Sequence, residues 1–317
     1  MKNIKLSKNI IVVFILLSFI LLYSNNIKEL IITTTQVSKN YKIISLLLYG
    51  REVYKVIDKN KVVESDLISD SSLIDFKKNI FDKEIKRDKN SIYKKINIKG
   101  NGYNGYIIFV FDSSKIKLEL SKDYGIVGED ALSLSKRVGA KVVVNASSFL
   151  DLDWNSNGSI AHGMVVKDGK IISNEDKFFN YGGMIGFDYN NKLILGKMNK
   201  DDIKKYNIRD GIEFGPFLIV NGKKNEVLGN GGFGISQRTA IGQRRDGTVL
   251  FVVINGRVPT SIGATMNDLI DIFSFYNCIN AANLDGGSST SLVINNKVIN
   301  NITTYKLRKI PTFWIVK

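Results

Sequence analysis

From residue 106 to the C-terminus the chain is divided into short apolar runs, most of them three to seven residues long and ended by glycine, asparagine or aspartate turns. Runs of this length predict β-strands, because a helix usually needs about ten residues or more to bury one face. The predicted strands are 106–111, 116–120, 142–144, 164–166, 170–172, 184–188, 192–195, 217–220, 248–254 and 279–284. The polar turn Asp112–Lys115 predicts that the first two form a hairpin.

Two segments carry helix signals instead. Gly128–Gly139 has apolar residues at helical spacing. Thr265, followed three residues later by Asp268, fits a capping box, in which each side chain binds the other residue's backbone amide. The apolar residues after it predict one buried helix face, made of Leu269, Ile270, Ile272, Phe273 and Tyr276.

The strand 279–284 runs directly into Asp285-Gly286-Gly287-Ser288-Ser289. A carboxylate at a strand end, followed by two glycines, suits a binding site because glycine lets backbone amides approach a ligand closely. The same letters also describe an ordinary Asp-Gly turn. The segment alone therefore leaves a site and a plain turn both open.

The N-terminus indicates export. Lys2, Lys5 and Lys8 precede the run Ile10–Tyr23, whose 14 residues are apolar except for Ser18. A basic start followed by such a run is typical of a secretory signal or a signal anchor. No small-residue cleavage site follows, so we expect residues 1–32 to be an uncleaved anchor that crosses the cell membrane once, with the rest of the chain extracellular. Residues 33–90 are expected to form a partly helical stalk.

Composition restricts the chemistry. A single cysteine, Cys278, excludes an intramolecular disulfide and a cysteine-based zinc cluster, and a single histidine, His162, excludes a site with several histidines. A metal would need oxygen ligands, which are those of Ca²⁺ and Mg²⁺. The sequence leaves open whether such a divalent cation takes part, and it predicts no other cofactor.

The formal charge is +15, from 45 Lys and Arg against 30 Asp and Glu. Three explanations are open: a general bias toward lysine, affinity for an anionic glycan or membrane surface, and nucleic-acid binding. The chain has no recognisable nucleic-acid-binding motif, and an exported protein does not meet cellular nucleic acid. We therefore expect no nucleic-acid partner.

Several segments together resemble the phosphodiester glycosidase family, whose bacterial relatives include proteins associated with exopolysaccharides. The resemblance covers roughly Ser91–Lys317, and it is most specific in Arg238-Thr239-Ala240-Ile241-Gly242, Asp246-Gly247, Asn255-Gly256-Arg257 and Asn283–Ser289. Weaker blocks are Val142–Phe149, Gly163–Lys170 and Gly215-Pro216-Phe217-Leu218. The chain departs from the family at Asn145-Ala146-Ser147, where the family has Asn-Gly-Gly, and at Asn255, where the family has an aspartate.

The resemblance implies a substrate in which a phosphodiester is attached to the anomeric carbon of a GlcNAc-like sugar. The expected extracellular location and the positive charge favour a cell-surface phosphoglycan as the molecule that carries it. The resemblance also implies site roles. The expected catalytic residues are Asp285, as base, nucleophile or electrostatic stabiliser, Arg238, as the phosphate-binding cation, and Asn145. The expected substrate-binding residues are Gly286, Gly287, Ser288, His162 and Glu213.

We accordingly expect an α+β fold: a mixed, curved β-sheet with flanking helices, preceded by the membrane anchor and stalk, with residues 91–317 as the catalytic domain. The expected function is hydrolysis of a sugar-1-phosphodiester at its anomeric C1–O bond. The alternative is a non-catalytic protein that binds or assembles a phosphoglycan or exopolysaccharide.

Overall fold

The computed structural model describes residues 61–64, 66–78, 85, 91–150, 156–175, 181–228, 233–302 and 306–317. The chain divides into a larger unit, Val62–Val227 with Ser236–Lys317, and a smaller one, Met1–Lys61 with Leu228–Ile235. The predicted anchor and the first part of the predicted stalk, up to residue 60, lie outside the described residues. Within the described ranges, no helix combines the length and the apolar character that crossing a membrane requires.

The described strands are β1 (Lys61–Val63), β2 (Tyr93–Gly100), β3 (Tyr103–Val110), β4 (Ile116–Leu120), β5 (Val142–Asn145), β6 (Met164–Lys167), β7 (Lys170–Asn174), β8 (Gly183–Asp188), β9 (Leu193–Gly196), β10 (Ile208–Phe214), β11 (Phe217–Val220), β12 (Lys223–Lys224), β13 (Glu226–Leu228), β14 (Arg238–Arg244), β15 (Val249–Ile254), β16 (Cys278–Leu284), β17 (Leu292–Ile294), β18 (Lys297–Val298) and β19 (Thr312–Val316). The α-helices are α1 (Ala131–Val138), α2 (Lys200–Lys205) and α3 (Met266–Phe275).

These strands form three main sheets. One has seven strands in the order β12-β11-β16-β14-β15-β3-β2, and two have five, β18-β17-β5-β19-β4 and β7-β6-β10-β8-β9. Every pairing in the three is antiparallel. The expectation of one mixed sheet is therefore wrong. The described chain is mostly β, with several antiparallel sheets and few helices.

The three sheets share one hydrophobic core. Strands from each contribute fully buried side chains to it, among them Phe217, Phe251, Ile185 and Trp314. Trp314 meets Phe187 edge to face, with ring centroids 5.5 Å apart. Each short strand supplies only two or three inward side chains, so a core of this size needs many strands.

The helices lie outside this core. Ala131 and Leu134 of α1 pack on Val143 and Phe313 of one five-stranded sheet, and α3 contacts β11 and β16 of the seven-stranded sheet. The capping box predicted for α3 is present, with Thr265 and Asp268 each bonded to the other's backbone amide. Both helices predicted from these short-range signals are present.

The predicted hairpin across Asp112–Lys115 is wrong. β3 pairs with β2 and β15, whereas β4 pairs with β19 in another sheet. The carboxylate of Asp112 accepts a hydrogen bond from the Ser114 amide and forms a single 3₁₀ turn, which carries the chain from one sheet to the other. The actual hairpin joins β2 and β3 through Gly102, whose φ of 79° suits glycine.

Part of the predicted stalk belongs to the folded unit, which begins at Val62. The Ser69 amide donates to the Leu195 carbonyl, and the Asp75 amide donates to the Arg245 carbonyl. Ile74 is buried. Residues 62–64 and 66–78 therefore make contacts with the strands that follow.

Candidate active site

Asp285 stands at the end of β16 and is partly exposed. Its amide donates to the Ala146 carbonyl at 3.1 Å, which joins the end of β16 to the end of β5. Its Oδ1 accepts a hydrogen bond from the Gly286 amide at 2.9 Å. The carboxylate is thus held at a fixed place where it can meet both solvent and a ligand.

The two glycines after Asp285 allow the chain to pass close to the start of β14. A Cβ on Gly286 would lie 2.8 Å from the Gln237 carbonyl oxygen, and Gly287 has a φ of 58°. The Gly287 amide donates to that same carbonyl at 3.0 Å. Both glycine amides are therefore bonded within the chain, to Asp285 and Gln237. The two glycines shape the loop, and their part in substrate binding stays a prediction.

Asn145, at the end of β5, is fully buried and joins three segments. Its Nδ2 donates to the Asp285 carbonyl at 2.6 Å. Its Oδ1 accepts from the Thr239 hydroxyl at 2.7 Å and from the Ser291 amide at 3.0 Å. These bonds tie the Asn145 side chain to the Asp285 backbone, and the catalytic role expected for Asn145 stays a prediction.

Asn145→Ala is expected to lower the free energy of unfolding by about 2–4 kcal/mol, because a buried hydroxyl and a buried amide lose their acceptor. Urea denaturation of the two proteins measures the difference. Asn97→Ala, on the exposed edge of β2, is the matched control and should change stability by less than about 0.5 kcal/mol. A loss for Asn145→Ala no larger than that of the control would contradict the positioning role.

Arg238 begins β14 and is 6% exposed. Its Nε donates to the Ala264 carbonyl at 2.9 Å. Burial, and then the nearby positive charge of Arg257, lower the pKa of Arg238 to about 10, while Asp268 acts in the opposite direction. Arg238 therefore stays charged at neutral pH, and it does so next to a second guanidinium.

The loop that carries Arg257 is held tightly against the entry to β14. Cβ atoms on Gly256 and Gly263 would lie 2.6 and 2.4 Å from the backbone of Gln237 and Ser236. Arg257 itself has a positive φ of 55°, which is unusual for a side chain of this size. In the sequence, Arg257 stands out only as part of the family resemblance, and the fold is what brings it near Arg238.

Glu213 and His162 lie around Gly163. The Glu213 carboxylate is buried, and its Oε2 accepts from the Met164 amide at 2.8 Å. A Cβ on Gly163 would lie 2.7 Å from the Glu213 Cβ. The His162 amide donates to the Ser148 carbonyl, three residues after Asn145. The two predicted residues therefore adjoin the segment that follows β5.

Two charged residues that contact segments of the candidate site could not be identified from the sequence. Arg308 donates from Nη1 to the Ser288 hydroxyl at 3.0 Å. Glu64 accepts from the Gly182 and Phe217 amides, both at 2.6 Å, and burial raises its pKa. Both lie far along the chain from the motifs they contact, so no local pattern marks them.

Tyr181 is coupled electrostatically to both Glu64 and Arg238. Burial raises the pKa of Tyr181, with the charge of Glu64 acting in the same direction and that of Arg238 opposing it. Tyr181 thus lies within electrostatic reach of both charged groups. It adds a phenol to the polar side chains around Arg238.

No group of three or more His, Cys, Asp or Glu side chains suited to a metal occurs in the part of the chain that the structure describes. Asp285 and Glu213 are the carboxylates of the predicted site. The participation of Ca²⁺ or Mg²⁺ stays a prediction.

The expected catalytic residues Asn145, Asp285 and Arg238 lie close together. Asn145 bonds to Asp285, and a Cβ on Gly286 would lie 3.8 Å from the Arg238 Cα. A profile of phosphodiester glycosidases matches residues 138–317, which is more than half of the chain and includes all of these positions. The chain belongs to the phosphodiester glycosidase family.

Individual relatives agree with this membership. A SPbeta prophage-derived uncharacterized protein of Bacillus subtilis, YomE, is 31% identical over 203 residues, which are 62% of this chain and 31% of that protein. The chain therefore spans less than a third of the length of this curated relative.

Two solved structures share the fold of this phosphodiester glycosidase family member. The zebrafish N-acetylglucosamine-1-phosphodiester alpha-N-acetylglucosaminidase catalytic domain, described as auto-inhibited by its pro-peptide, matches with a TM-score of 0.59 and 19% identity, over 72% of this chain and 85% of that one. A hypothetical protein from Synechocystis matches with a TM-score of 0.52 and 15% identity, over 71% and 62%.

Proposed function

We propose that this protein is an extracytoplasmic phosphodiester glycosidase, which hydrolyses the anomeric C1–O bond of a sugar-1-phosphodiester. The observation that carries the proposal is the arginine pair beside Asp285, in which the charge of Arg257 helps to lower the pKa of buried Arg238. Two neighbouring guanidinium groups repel each other unless an anion lies between them. A phosphodiester has the charge and the planar pairs of oxygens that guanidinium groups bind best.

The reaction follows from these groups. When C1–O breaks, the electron pair stays on the phosphate oxygen, and Arg238 and Arg257 offset the developing charge there. The sugar carbon becomes positively charged in the transition state, and the Asp285 carboxylate stabilises it. A water attacks C1 and passes a proton to a carboxylate, for which Asp285 is the proposed base. The products are the free sugar and a phosphomonoester.

A phosphate is a far better leaving group than a sugar hydroxyl, so this reaction depends less on a strong general acid. The site is consistent with that need, since the cations Arg238 and Arg308 both adjoin the Asp285 loop. Asn145 is proposed to orient Asp285 through its backbone carbonyl. Glu213, His162 and Ser288 are proposed to bind the sugar or its phosphate from the sides of the loop.

The proposed substrate is a GlcNAc-like sugar on a cell-surface phosphoglycan, and the proposed location is the outer side of the cell membrane. The location is supported by the basic start and apolar run of residues 1–32, read as a single-pass anchor. The substrate class is supported by family membership and by the charge of +15, which concentrates polyanions near the protein.

The full chain in mild detergent tests the proposal. It is incubated with UDP-GlcNAc and with α- and β-linked sugar-1-phosphodiesters, with and without EDTA, and the release of reducing sugar and phosphomonoester is followed. Sugar released together with an intact phosphomonoester supports C1–O hydrolysis. Saturable binding of a phosphoglycan without release of sugar would support a non-catalytic binding or assembly protein instead.

A further inference from the structure

Arg308 is held in a fixed orientation beside the Asp285 loop. Its guanidinium carbon lies 4.7 Å from the ring centroid of Phe149, and its Nη1 donates to the Ser288 hydroxyl at 3.0 Å. Phe149 is only 5% exposed and is packed in the core around α1, so the ring is a rigid platform. Because Phe149 contacts the face of the Arg308 guanidinium and Ser288 contacts its edge, this side chain loses little further conformational entropy when it binds an anion.

Arg308 and Arg238 both adjoin the loop that ends β16. The Asp285 amide bonds to Ala146 in the segment that leads to Phe149. The Gly287 amide bonds to Gln237, the residue before Arg238. The loop therefore contacts both the start of β14, which carries Arg238, and Arg308 through Ser288.

One phosphodiester group accounts for the Arg238–Arg257 pair, and Arg308 is a further cation at the same loop. Arg308 also belongs to a basic run, Lys306-Leu307-Arg308-Lys309, in which both lysines are exposed. The positive potential therefore extends along this run. A ligand that lies along the loop would meet positive charge from both Arg238 and Arg308.

We infer that Arg308 is a specificity-determining residue that binds a second phosphate group of the substrate, separate from the diester phosphate at the scissile bond. The position of the first phosphate rests on the proposed function. The preferred substrate then carries two phosphates, as in a nucleoside diphosphate sugar or in two repeats of a phosphoglycan. These two sources share the chemistry that Arg308 recognises and differ in the spacing of the phosphates.

The test compares two matched substrates, a sugar-1-phosphodiester with a methyl aglycone and one whose short alkyl aglycone ends in a phosphate. Arg308→Gln in the full chain is expected to raise KM for the second substrate about ten-fold or more, with kcat retained, and to leave KM for the methyl diester within about two-fold. Lys309→Gln, which removes the neighbouring exposed charge, is the matched control and should change neither KM by more than about two-fold.

Arg308→Lys keeps the charge without the planar fork, so it should recover part of the preference if Arg308→Gln loses it. An equal change of KM on both substrates in Arg308→Gln would overturn the inference, as would a preference that survives the substitution. UDP-GlcNAc and a two-repeat phosphoglycan oligomer, assayed in the same variants, distinguish the two sources.

A binding measurement separates this inference from the proposed function. Propane-1,3-bisphosphate and propyl phosphate are titrated calorimetrically into the wild type and Arg308→Gln. If no sugar is released from any substrate but the wild type prefers the bisphosphate and Arg308→Gln does not, the proposed function fails and the second phosphate site stands. If sugar is released but both proteins bind the two probes in the same ratio, the second site alone fails.

Discussion

Asp285→Asn is expected to lower kcat for C1–O hydrolysis by about 10²- to 10⁴-fold, the range that a positioned carboxylate contributes to acid–base catalysis. The substitution removes the negative charge that faces C1. It keeps the local structure, because an asparagine Oδ1 can still accept the Gly286 amide that Asp285 binds at 2.9 Å. The thermal midpoint should therefore stay within a few degrees of the wild type.

The measurement is kcat and KM on the best sugar-1-phosphodiester, together with a thermal unfolding curve. Asp112→Asn is the matched control, because Asp112 also follows a strand and accepts a backbone amide, that of Ser114 at 3.0 Å, but lies outside the site. It should retain full activity. Undiminished kcat in Asp285→Asn would remove Asp285 from the mechanism.

Arg238→Met is expected to lower kcat/KM by about 10²- to 10³-fold, as for the loss of one preorganised group that stabilises developing negative charge. Stability is expected to be unchanged or higher. The buried guanidinium has its pKa lowered to about 10 by desolvation and by Arg257, so its charged form is disfavoured in the fold, and methionine fills a similar volume without charge.

The other end of β14 offers a matched contrast. Arg244 is also almost fully buried, but it forms an ion pair with Asp246 at 3.3 Å. Arg244→Met should therefore cost about 3 kcal/mol of stability, because it leaves a mostly buried carboxylate unpaired, with little effect on KM. Of these two arginines of β14, Arg238 is thus expected to have a functional role and Arg244 a structural one. Loss of stability in Arg238→Met with activity retained would reverse that assignment.

The pKa of Arg238 also predicts a pH effect. An ordinary arginine stays protonated to about pH 12, whereas Arg238 loses its proton near pH 10. Phosphate affinity in the wild type should therefore fall as pH rises from 9 to 11, since the neutral form binds an anion weakly. Calorimetric titration with a methyl phosphodiester at each pH measures it, and Arg238→Met should lack this fall.

Features that depend only on residues close together in the sequence could be predicted from it. The capping box of α3 needs only Thr265 and Asp268, three residues apart, and it occurs as expected. The turn at Asn221 and Gly222 has the positive φ values that these residue types favour. Asp285 and its two glycines were identified for the same reason, since a strand that ends in them is a local pattern.

Strand partners could not be predicted in this way. β3 and β4 are near neighbours in sequence, and yet they lie in different sheets. β14 was recognised as part of a family motif but not as a strand, because all its residues, from Arg238 to Arg244, are buried and it lacks the alternation of a half-exposed strand. Backbone hydrogen bonds are the same for every sequence, so the packing of the whole core selects which strands pair.

The same division applies to the candidate site. The sequence by itself marked a carboxylate at a strand end, because that depends on residue type and short spacing, and the family resemblance added the phosphate-binding role expected of Arg238. Only the tertiary structure decided that Asn145 holds Asp285, that Arg257 stands near Arg238, and that Arg308 lies on Phe149 beside Ser288. Those relations join residues 19 to 159 positions apart, and only the packing of three sheets around one core brings such residues together.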